Sequence, residues 1–261
     1  MSSYTGDLPF LYDSVPLYEA RRDVALYVGL AMERGGRVLE VGCGTGRVLI
    51  PIARAGLEID GIDESQGMID RCASRVASES PDVQRRVRLH RVDARNFDLG
   101  QKYDLVIAPF RVVQHLITID DQLAFLASAA RHLAPGGSLV FDVFNPNFQA
   151  LVAVDGTEKE DTPPTPLPDG RSFRRAARVK RVRWADQVSE VEIIYYVTEQ
   201  SGENAERFVQ AFDMRWYLKA ELVHLLARAG FRVQSIYGDL DRSPFTDKSS
   251  DIIIVAELAA P

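Results

Sequence analysis

The sequence predicts an α/β protein with a doubly wound, mostly parallel sheet of seven strands and an antiparallel β insert before the last helix. Three observations support this fold. Short apolar runs alternate with amphipathic stretches over about the first 150 residues, and strands joined by crossover helices form parallel sheets with helices on both faces. A proline-rich stretch then ends the alternation, and β-type runs follow it. One more helix and two strand-like runs complete the chain.

The first part of the chain supplies most elements of the main sheet. Helical periodicity extends from Pro16 to Met32. Five runs are typical of buried strands: RVLEVG, LEIDGID, VRLHRVDA, YDLVIAPF and SLVFDVFNP. The helices predicted between them are RVLIPIARAG, SQGMIDRCASRVAS and DQLAFLASAARHLAPGG, the last ended by its Pro-Gly-Gly. The helix LKAELVHLLARAGF and the strands FRVQSIYG and DIIIVAEL close the chain.

Residues 155–217 form the predicted insert. The segment DTPPTPLPDG cannot form a helix or a central strand, because proline lacks the backbone N–H that both require. Three β-type runs follow, SFRRAARVKRVRW, QVSEVEIIYYVTE and AERFVQAFDMRWY, and short turns between them favour an antiparallel meander. We therefore predict a main domain of residues 1–154 and 218–261, with the insert 155–217 covering a substrate site.

The bulk properties exclude several classes of protein. The net charge of −6 argues against a nucleic-acid coat or an anionic membrane surface as the partner. No apolar run approaches the ~20 residues that span a bilayer, and the N-terminus lacks the features of a signal peptide. Two cysteines and four scattered histidines offer neither a disulfide framework nor a metal site. We expect a cytoplasmic protein, a monomer or homodimer, without metal or membrane partner.

The stretch VLEVGCGTGRVLIPIARAG contains a glycine turn between a predicted strand and a predicted helix. It does not fit the dinucleotide fingerprint, whose last small residue would be Arg47 or Leu49, and no lysine follows as in a phosphate loop. Glycines allow backbone amides to approach a ligand closely. The Glu40 carboxylate would repel a diphosphate but suits an ammonium or sulfonium group. The pattern therefore predicts a nucleoside ligand with a cationic tail.

Two further acids end neighbouring predicted strands. Asp63 ends the second strand, where a carboxylate can accept both hydrogens of a ribose diol, and Asp93 ends the third, where an acid can meet an adenine amino group. A single acid at a strand end is more often a helix cap or turn residue. Because open α/β sheets bind ligands at the carboxyl ends of their strands, three acids in order beside a glycine turn indicate a binding site.

Taken together, VLEVGCGTGR, GIDESQGM, DARNFD, YDLVIAPF and LAPGGSLVFDVF resemble the successive motifs of class I S-adenosylmethionine-dependent methyltransferases, over about residues 38 to 145. The resemblance implies the Rossmann-like methyltransferase fold, S-adenosylmethionine as cofactor and S-adenosylhomocysteine as product. It also implies that the glycines approach the methionine moiety, that Asp63 holds the ribose and that Met68 packs against adenine. The implied cofactor-binding residues are Glu40, Gly42, Cys43, Gly44, Gly46, Asp63, Glu64, Met68, Asp93, Ala94, Arg95, Ala108, Pro109, Phe110 and Tyr12.

The order of elements further resembles small-molecule methyltransferases such as the sugar-amine enzymes of antibiotic pathways. Methyltransferases of base amines carry [Asp/Asn]-Pro-Pro-[aromatic] after strand four, whereas this chain has Ala108-Pro109-Phe110, which disfavours that acceptor class. His115 is a candidate general base because its ordinary pKa is near ~6.5; its alternative role is a hydrogen bond within the helix start. The candidate substrate residues are Arg111, Gln114, Tyr18, Trp216 and Tyr217. The alternative for Tyr18 is aromatic packing onto the sheet, and the alternative for Trp216 and Tyr217 is packing in the core or at an interface.

Residues 171–183, RSFRRAARVKRVR, hold seven basic side chains. They could dock RNA or an anionic substrate, but pairing with Glu190 and Glu192 across the hairpin is the favoured interpretation. Three hypotheses follow: a methyltransferase acting on nitrogen or oxygen of a small molecule, an RNA or protein methyltransferase that docks through 171–183, and a cofactor-binding sensor without transfer activity. The first fits the acidic chain best, and nucleic acid is an unfavoured partner.

Overall fold

A computed structural model describes residues 6–19, 21–199 and 205–259. Its contacts divide the chain into two units: a large unit of Arg22–Pro146 and Trp216–Pro261, and a small unit of Met1–Arg21 and Asn147–Arg215. The helices are α1 (Leu8–Asp13), α2 (Pro16–Glu19), α3 (Asp23–Arg34), α4 (Leu49–Arg54), α5 (Gln66–Ala77), α6 (Pro81–Arg86), α7 (Ile119–His132), α8 (Phe148–Val152) and α9 (Lys219–Arg228). The strands are β1 (Val38–Val41), β2 (Ile59–Asp63), β3 (Val87–Arg91), β4 (Tyr103–Ala108), β5 (Leu133–Phe144), β6 (Lys159–Pro166), β7 (Ser172–Arg183), β8 (Val188–Thr198), β9 (Ala205–Arg215), β10 (Phe231–Tyr237) and β11 (Asp251–Leu258).

The large unit contains a seven-stranded sheet in the order β10-β11-β5-β4-β1-β2-β3. Strands β1 to β5 pair in parallel, whereas β11 is antiparallel to both of its neighbours. The chain moves outward from β1 to β3, then returns to β4 on the other side of β1. This reversal creates a crevice at the carboxyl ends of β1 and β4, where open α/β sheets bind ligands. The sheet confirms the predicted fold class.

Both faces of this sheet are covered by apolar side chains. Along β1, Leu39 and Val41 join a core cluster on one face, while Val38 joins the cluster on the other. All four β1 residues are buried. Strands buried on two faces are apolar at successive positions rather than at alternate ones, which is why the sequence pattern located them well.

The small unit contains a four-stranded antiparallel sheet in the order β6-β7-β8-β9. Strands β7, β8 and β9 match the three predicted runs, whereas β6 lies in the proline-rich stretch, where no strand was predicted. Proline is tolerated there because β6 is an edge strand, and two irregularities interrupt its pairing with β7. Leu8, Leu11 and Val15 form a separate core cluster with β7 and β8 residues such as Phe173 and Tyr195.

Three further boundaries differ from the predictions. The predicted helix 16–32 is two helices, α2 and α3. The Pro-Gly-Gly after α7 lies inside β5, which begins directly at Leu133, so it does not end the helix. The contacts group residues 1–21 with the antiparallel sheet and place the other unit boundaries at Asn147 and Trp216. The covering role of residues 155–217 stays a prediction. None of the helices in the described ranges is both long and apolar enough to cross a membrane.

Candidate functional site

The glycine turn follows β1 directly, and its three glycines are not all required for the same structural reason. Gly42, Gly44 and Gly46 all have positive φ, which favours glycine. A Cβ on Gly42 would lie 2.5 Å from the Val112 side chain, and one on Gly46 would lie 2.7 Å from Cys72 Sγ. A Cβ on Gly44 would meet nothing within 4 Å. Packing therefore accounts for the first and last glycine, whereas the middle one borders open space where a ligand can approach the backbone.

Glu40 lies in β1, two residues before the turn, and its side chain is buried. Its Oε2 atom has no hydrogen-bond partner among the described residues. Burial raises the pKa of this carboxyl well above its usual range, and Cys72 raises it further while Arg47 lowers it. A buried polar atom without a partner is rare in native proteins. The Glu40 carboxyl therefore lacks a hydrogen bond that a cationic donor could supply.

Asp63 ends β2 and closes the glycine turn from the other side. Its Oδ2 accepts the Gly44 N–H at 3.0 Å, and its Oδ1 accepts the Ser65 N–H at 2.8 Å. Burial raises the pKa of this carboxyl, although both backbone hydrogen bonds act in the opposite direction. Ser65 caps α5 by accepting the Met68 N–H, and Met68 is buried. Asp63 therefore fixes the turn, and its oxygens keep lone pairs for a further hydrogen-bond donor. The next residue, Glu64, is exposed to solvent.

Asp93 follows β3, and its carboxylate is already engaged. It accepts hydrogen bonds from the Arg95 backbone N–H at 2.8 Å and from Arg95 Nε at 2.9 Å. The hydrogen bond from the Arg95 side chain lowers the pKa of Asp93. Arg95 also contacts Asp121 at 3.1 Å. An adenine amino group at Asp93 would share the carboxylate with Arg95, so the predicted adenine contacts of Asp93, Ala94 and Arg95 stay predictions.

The end of β4 is an unusual turn. Ala108 and Pro109 are buried, and then Phe110 and Arg111 both have positive φ, at 57° and 68°. Such backbone conformations are strained for residues other than glycine and persist only where the surrounding structure imposes them. The buried Asp142 carboxylate of β5 provides that support, because its Oδ1 accepts the Phe110 N–H at 2.7 Å and the Tyr27 hydroxyl at 2.6 Å.

Sequence reasoning missed two residues that organise this region, Asp142 and Arg47. The signal for Asp142 was an acid within the apolar run SLVFDVF. Arg47 follows the glycine turn; it forms two hydrogen bonds to the buried Asp23 at 2.6 and 2.7 Å and stacks over the Phe110 ring, 5.0 Å from its centroid. Arg47 thus links the glycine turn to the end of β4.

A 3₁₀ turn, Val112–His115, follows these strained residues. Because Val112 lies against Gly42, the turn is packed on the glycine turn. The His115 side chain is exposed to solvent, yet the surrounding protein lowers the pKa of its imidazole by desolvation. The neutral form is therefore favoured at pH 7. Gln114 is buried instead, and its Oε1 accepts the Phe144 N–H at 2.9 Å, which gives it a structural role in addition to its predicted one.

The other candidate substrate residues of the large unit support the same turn. The buried Tyr217 hydroxyl donates to the carbonyl oxygens of Val113 and Leu116, each at 3.3 Å, and Trp216 is buried beside it in the chain. Arg111 lies over the Phe144 ring, 5.4 Å from its centroid. These contacts fix the turn that carries His115; direct substrate contacts by Arg111, Trp216 and Tyr217 stay predictions.

Tyr12 and Tyr18 belong to the small unit, with ring centroids 4.6 Å apart. Tyr18 is also held by Arg175, which hydrogen-bonds its hydroxyl and lies over its ring. Arg175 in turn bonds Asp161 through two donors, at 2.8 and 3.0 Å. The aromatic packing that was the alternative for Tyr18 is therefore present, and the predicted ligand contacts of both tyrosines stay predictions.

Every basic residue of 171–183 has an acidic partner. Arg178 and Lys180 pair with Glu192, and Arg181 pairs with Glu190, as the hairpin interpretation predicted. The remaining pairs are Arg171 with Asp7 and Asp169, Arg174 with Glu160, Arg175 with Asp161, and Arg183 with Glu190 and Asp213. These acidic partners neutralise the basic run, which disfavours the RNA-docking alternative.

Residues 38–137 match the family model described as methyltransferase domain. The chain is 27% identical to the dTDP-3-amino-3,4,6-trideoxy-alpha-D-glucopyranose N,N-dimethyltransferase of Streptomyces venezuelae, over 83% of this chain and 84% of that protein. Its structure is similar to the CcbJ methyltransferase from Streptomyces caelestis, with TM-score 0.76 and 27% identity over 99% and 100% of the two chains. It also resembles the amino pentose methyltransferase CalS10 from Micromonospora echinaspora, solved with S-adenosylmethionine, with TM-score 0.69 and 25% identity over 98% of each chain.

Fold and glycine turn together define the class: this is a methyltransferase with a Rossmann-like fold. More particularly, the chain is an S-adenosylmethionine-dependent methyltransferase. The residues present fit the cofactor. Glu40 Oε2 needs a cationic donor of the kind that a methionine ammonium provides, and the open space at Gly44 lets a ligand approach the turn that Asp63 braces.

Proposed function

We propose that this methyltransferase methylates the amino nitrogen of a small molecule of the amino-sugar class. The observation that carries the proposal is the position of His115, an exposed imidazole of lowered pKa on a turn packed against Gly42. Transfer to an amine requires the loss of one proton, and a neutral imidazole beside the cofactor turn can accept it. The Streptomyces venezuelae relative is named for an amino-sugar acceptor and CalS10 for an amino pentose, which supports this acceptor class.

The cofactor supplies an electrophilic methyl group on a sulfonium, so the chain's own residues have to bind, orient and deprotonate. We propose that Glu40 binds the methionine ammonium and that Asp63 accepts hydrogen bonds from the ribose hydroxyls. Asp142 fixes the Phe110 turn through the backbone hydrogen bond described above, which keeps the following turn in place. His115 removes the proton of the acceptor nitrogen. Alignment of the nucleophile in a fixed site supplies the remainder of the rate enhancement.

The proposal is tested with purified protein, S-adenosylmethionine and matched acceptor pairs. Each pair consists of an amino sugar and the hydroxyl analogue with the same ring, offered free and linked to a nucleoside diphosphate. We expect mass spectrometry to show methylated product with the amine and none with its hydroxyl partner. Transfer to the hydroxyl analogue would overturn the nitrogen assignment. Tight cofactor binding without product across the panel would contradict the proposed acceptor class and favour a sensor.

His115→Asn tests the proposed base. We expect kcat to fall about 10²- to 10⁴-fold while the affinity for S-adenosylhomocysteine stays unchanged. Because its lowered pKa keeps the imidazole neutral at pH 7, the wild-type rate should decline only as pH falls below 6.5, the ordinary value. That acidic decline should disappear in the variant. A variant with wild-type kcat would remove His115 from the mechanism.

The small-molecule acceptor, the cytoplasmic location and a monomeric or homodimeric state complete the proposal. The first rests on the relatives named above, and the second is tested by fractionation of the source cell. The oligomeric state is tested by sedimentation equilibrium.

A further inference from the structure

Helix α3 buries two polar side chains on one of its faces. Asp23 and Tyr27 are four residues apart in α3, so their side chains lie on the same face of the helix. Both residues are fully buried. Burying a carboxylate or a hydroxyl costs free energy unless hydrogen bonds compensate for the lost water. The hydrogen-bond partners of these two residues therefore show which part of the molecule the face supports.

The Tyr27 link consists of Tyr27, Asp142 and Phe110. The Tyr27 hydroxyl donates to Asp142 Oδ1 at 2.6 Å, and the same oxygen accepts the Phe110 N–H at 2.7 Å. Because both donors share one acceptor atom, the hydroxyl helps to fix the place at which that atom meets the Phe110 backbone. Asp142 is fully buried, so bulk water does not reach this oxygen. Loss of the hydroxyl should therefore displace the carboxylate that holds Phe110.

The Asp23 link consists of Asp23, Arg47 and Phe110. Both carboxylate oxygens of Asp23 accept hydrogen bonds from the Arg47 guanidinium, at 2.6 and 2.7 Å. That guanidinium lies over the Phe110 ring, 5.0 Å from its centroid. A bidentate arginine–carboxylate pair adds geometric specificity to its energy. Because Asp23 is fully buried, the cost of desolvation offsets much of the attraction. The pair therefore secures the orientation of the guanidinium over Phe110 more than it secures stability.

The two links meet at Phe110, whose backbone needs support. Phe110 and Arg111 have positive φ, a conformation that costs energy for residues other than glycine. One link holds the Phe110 N–H, and the other holds its ring. The 3₁₀ turn follows at once; its Val112 lies against Gly42, and its His115 side chain is exposed to solvent. A shift at Phe110 would therefore move the turn that carries His115.

The later part of the same turn is held by residues outside α3. The Tyr217 hydroxyl donates to the carbonyl oxygens of Val113 and Leu116, each at 3.3 Å. Gln114 Oε1 accepts the Phe144 N–H at 2.9 Å. These hydrogen bonds limit how far the turn can move. A defect in α3 should therefore displace the turn without unfolding it, so that its consequence is expected in the reaction rate rather than in the fold.

We propose that the buried face of α3 positions the base for methyl transfer. Asp23 and Tyr27 are positioning residues: through their two links they hold Phe110 in the conformation that sets the place of His115. This role rests on the proposed function, in which His115 is the base. Neither residue of α3 has to touch the cofactor or the acceptor. Since misplacing a catalytic group by about 1 Å can lower a rate about 10²-fold, the effect of these residues should appear in kcat.

Tyr27→Phe and Tyr103→Phe are a matched pair of variants. Tyr103 is also fully buried and also donates its hydroxyl to a buried carboxylate, that of Asp60, but it lies at the opposite end of β4 from Phe110. Each variant loses one hydroxyl and should lose similar stability in chemical unfolding. Only Tyr27→Phe should lower kcat, by about 10- to 100-fold, measured with the panel amino sugar that wild type methylates fastest. Both variants should bind S-adenosylhomocysteine as wild type does.

Asp23→Asn tests the second link. The variant loses the bidentate pair with Arg47, and its kcat at saturating S-adenosylmethionine should also fall. Because both links hold the same residue, the double variant Asp23→Asn/Tyr27→Phe should lose less than the product of the two single effects, as coupled sites do. Single effects that simply multiply would overturn the common point of action at Phe110.

Hydrogen exchange of the peptide covering 110–116 supplies a measurement that needs no acceptor. Exchange should be faster in Tyr27→Phe than in wild type, whereas Tyr103→Phe should match wild type. If exchange is faster in Tyr27→Phe but His115→Asn keeps the wild-type kcat, positioning of the turn by α3 is supported and the proposed base is wrong. If Tyr27→Phe exchanges and turns over like wild type, or if Tyr103→Phe lowers kcat equally, the positioning role of α3 is overturned.

Discussion

The paired carboxylates of the small sheet and Glu40 of the large unit have opposite environments. In the small unit, Asp161, Glu190 and Glu192 each contact at least one arginine. In the large unit, Glu40 is buried with one oxygen that has no hydrogen-bond partner in the described ranges. A carboxylate paired within the chain has a structural role, whereas a buried carboxylate with an unpartnered oxygen beside an open turn can receive a ligand. This difference favours a structural role for the basic run 171–183 and supports the proposal that Glu40 binds the cofactor.

The largest expected effect is that of Glu40→Gln. Removing one partner of a buried, hydrogen-bonded charge pair costs about 2–5 kcal/mol, so the affinity for S-adenosylmethionine should fall by that amount in calorimetry. The ligand-free variant should nevertheless be more stable than wild type, by up to about 1–3 kcal/mol, because a buried group without a partner is neutralised. Thermal melts with and without cofactor would show the two opposite shifts.

The pH dependence of stability gives a further check on Glu40. Its raised pKa means that the folded, ligand-free protein binds a proton more tightly than the unfolded chain does. The associated stability is fully present below the ordinary value of 4.5 and is lost as pH rises toward the raised pKa. Glu40→Gln should lack this loss. Glu192→Gln is the control: it breaks pairs with Arg178 and Lys180 and should leave cofactor affinity unchanged. If Glu192→Gln also loses affinity for the cofactor, the proposed difference between the paired carboxylates and Glu40 is wrong.

Asp63→Ala should have the next largest effect. The variant loses the proposed ribose hydrogen bonds as well as those to Gly44 and Ser65, and cofactor binding should weaken by about 1–3 kcal/mol. Asp98→Ala is a matched control, because Asp98 accepts the Gly100 N–H at 3.0 Å in an exposed turn elsewhere. If calorimetry shows that Asp63→Ala binds the cofactor as tightly as wild type does, Asp63 is not part of the cofactor site.

The sequence predicted the large sheet better than the small one for physical reasons. Strand β1 is buried at every position and apolar at all but Glu40, because both faces of the sheet are covered, and the acids in or at the ends of such strands mark the site. Strand β6 was missed because its prolines oppose strand formation locally, and they are tolerated only because β6 lies at the edge of the sheet with irregular pairing to β7. Asp142 was missed because its role depends on the Phe110 N–H and the Tyr27 hydroxyl reaching it. The hydrogen bond from Arg95 to Asp93 could not be predicted from the sequence either.

Gly44→Ala separates backbone strain from ligand contact. Gly44 has φ of 54° and Gly100 has φ of 62°, and a Cβ on either would meet nothing within 4 Å. Alanine at either position should therefore cost a similar strain energy, about 1–2 kcal/mol, visible in chemical unfolding. Only Gly44→Ala should also weaken cofactor binding, by about tenfold or ~1.4 kcal/mol, because its methyl group enters the open space. Equal cofactor affinities in the two variants would show that this space does not receive the ligand.

The smallest effect is expected for Arg181→Ala on the face of the small sheet. Arg181 is largely exposed and its ion pair is with Glu190, and exposed pairs are worth about 0.2–1 kcal/mol. Unfolding free energy should fall within that range, and neither cofactor affinity nor methyl transfer should change. Since the seven basic residues are already neutralised by acidic partners within the unit, wild type should also show no RNA binding at moderate salt, where phosphate-driven association persists for true nucleic-acid surfaces. If wild type binds RNA in a salt-dependent way and Arg181→Ala weakens that binding, a residue already in an ion pair can still bind a ligand. The comparison with Glu40 would then not distinguish structural residues from ligand-binding ones.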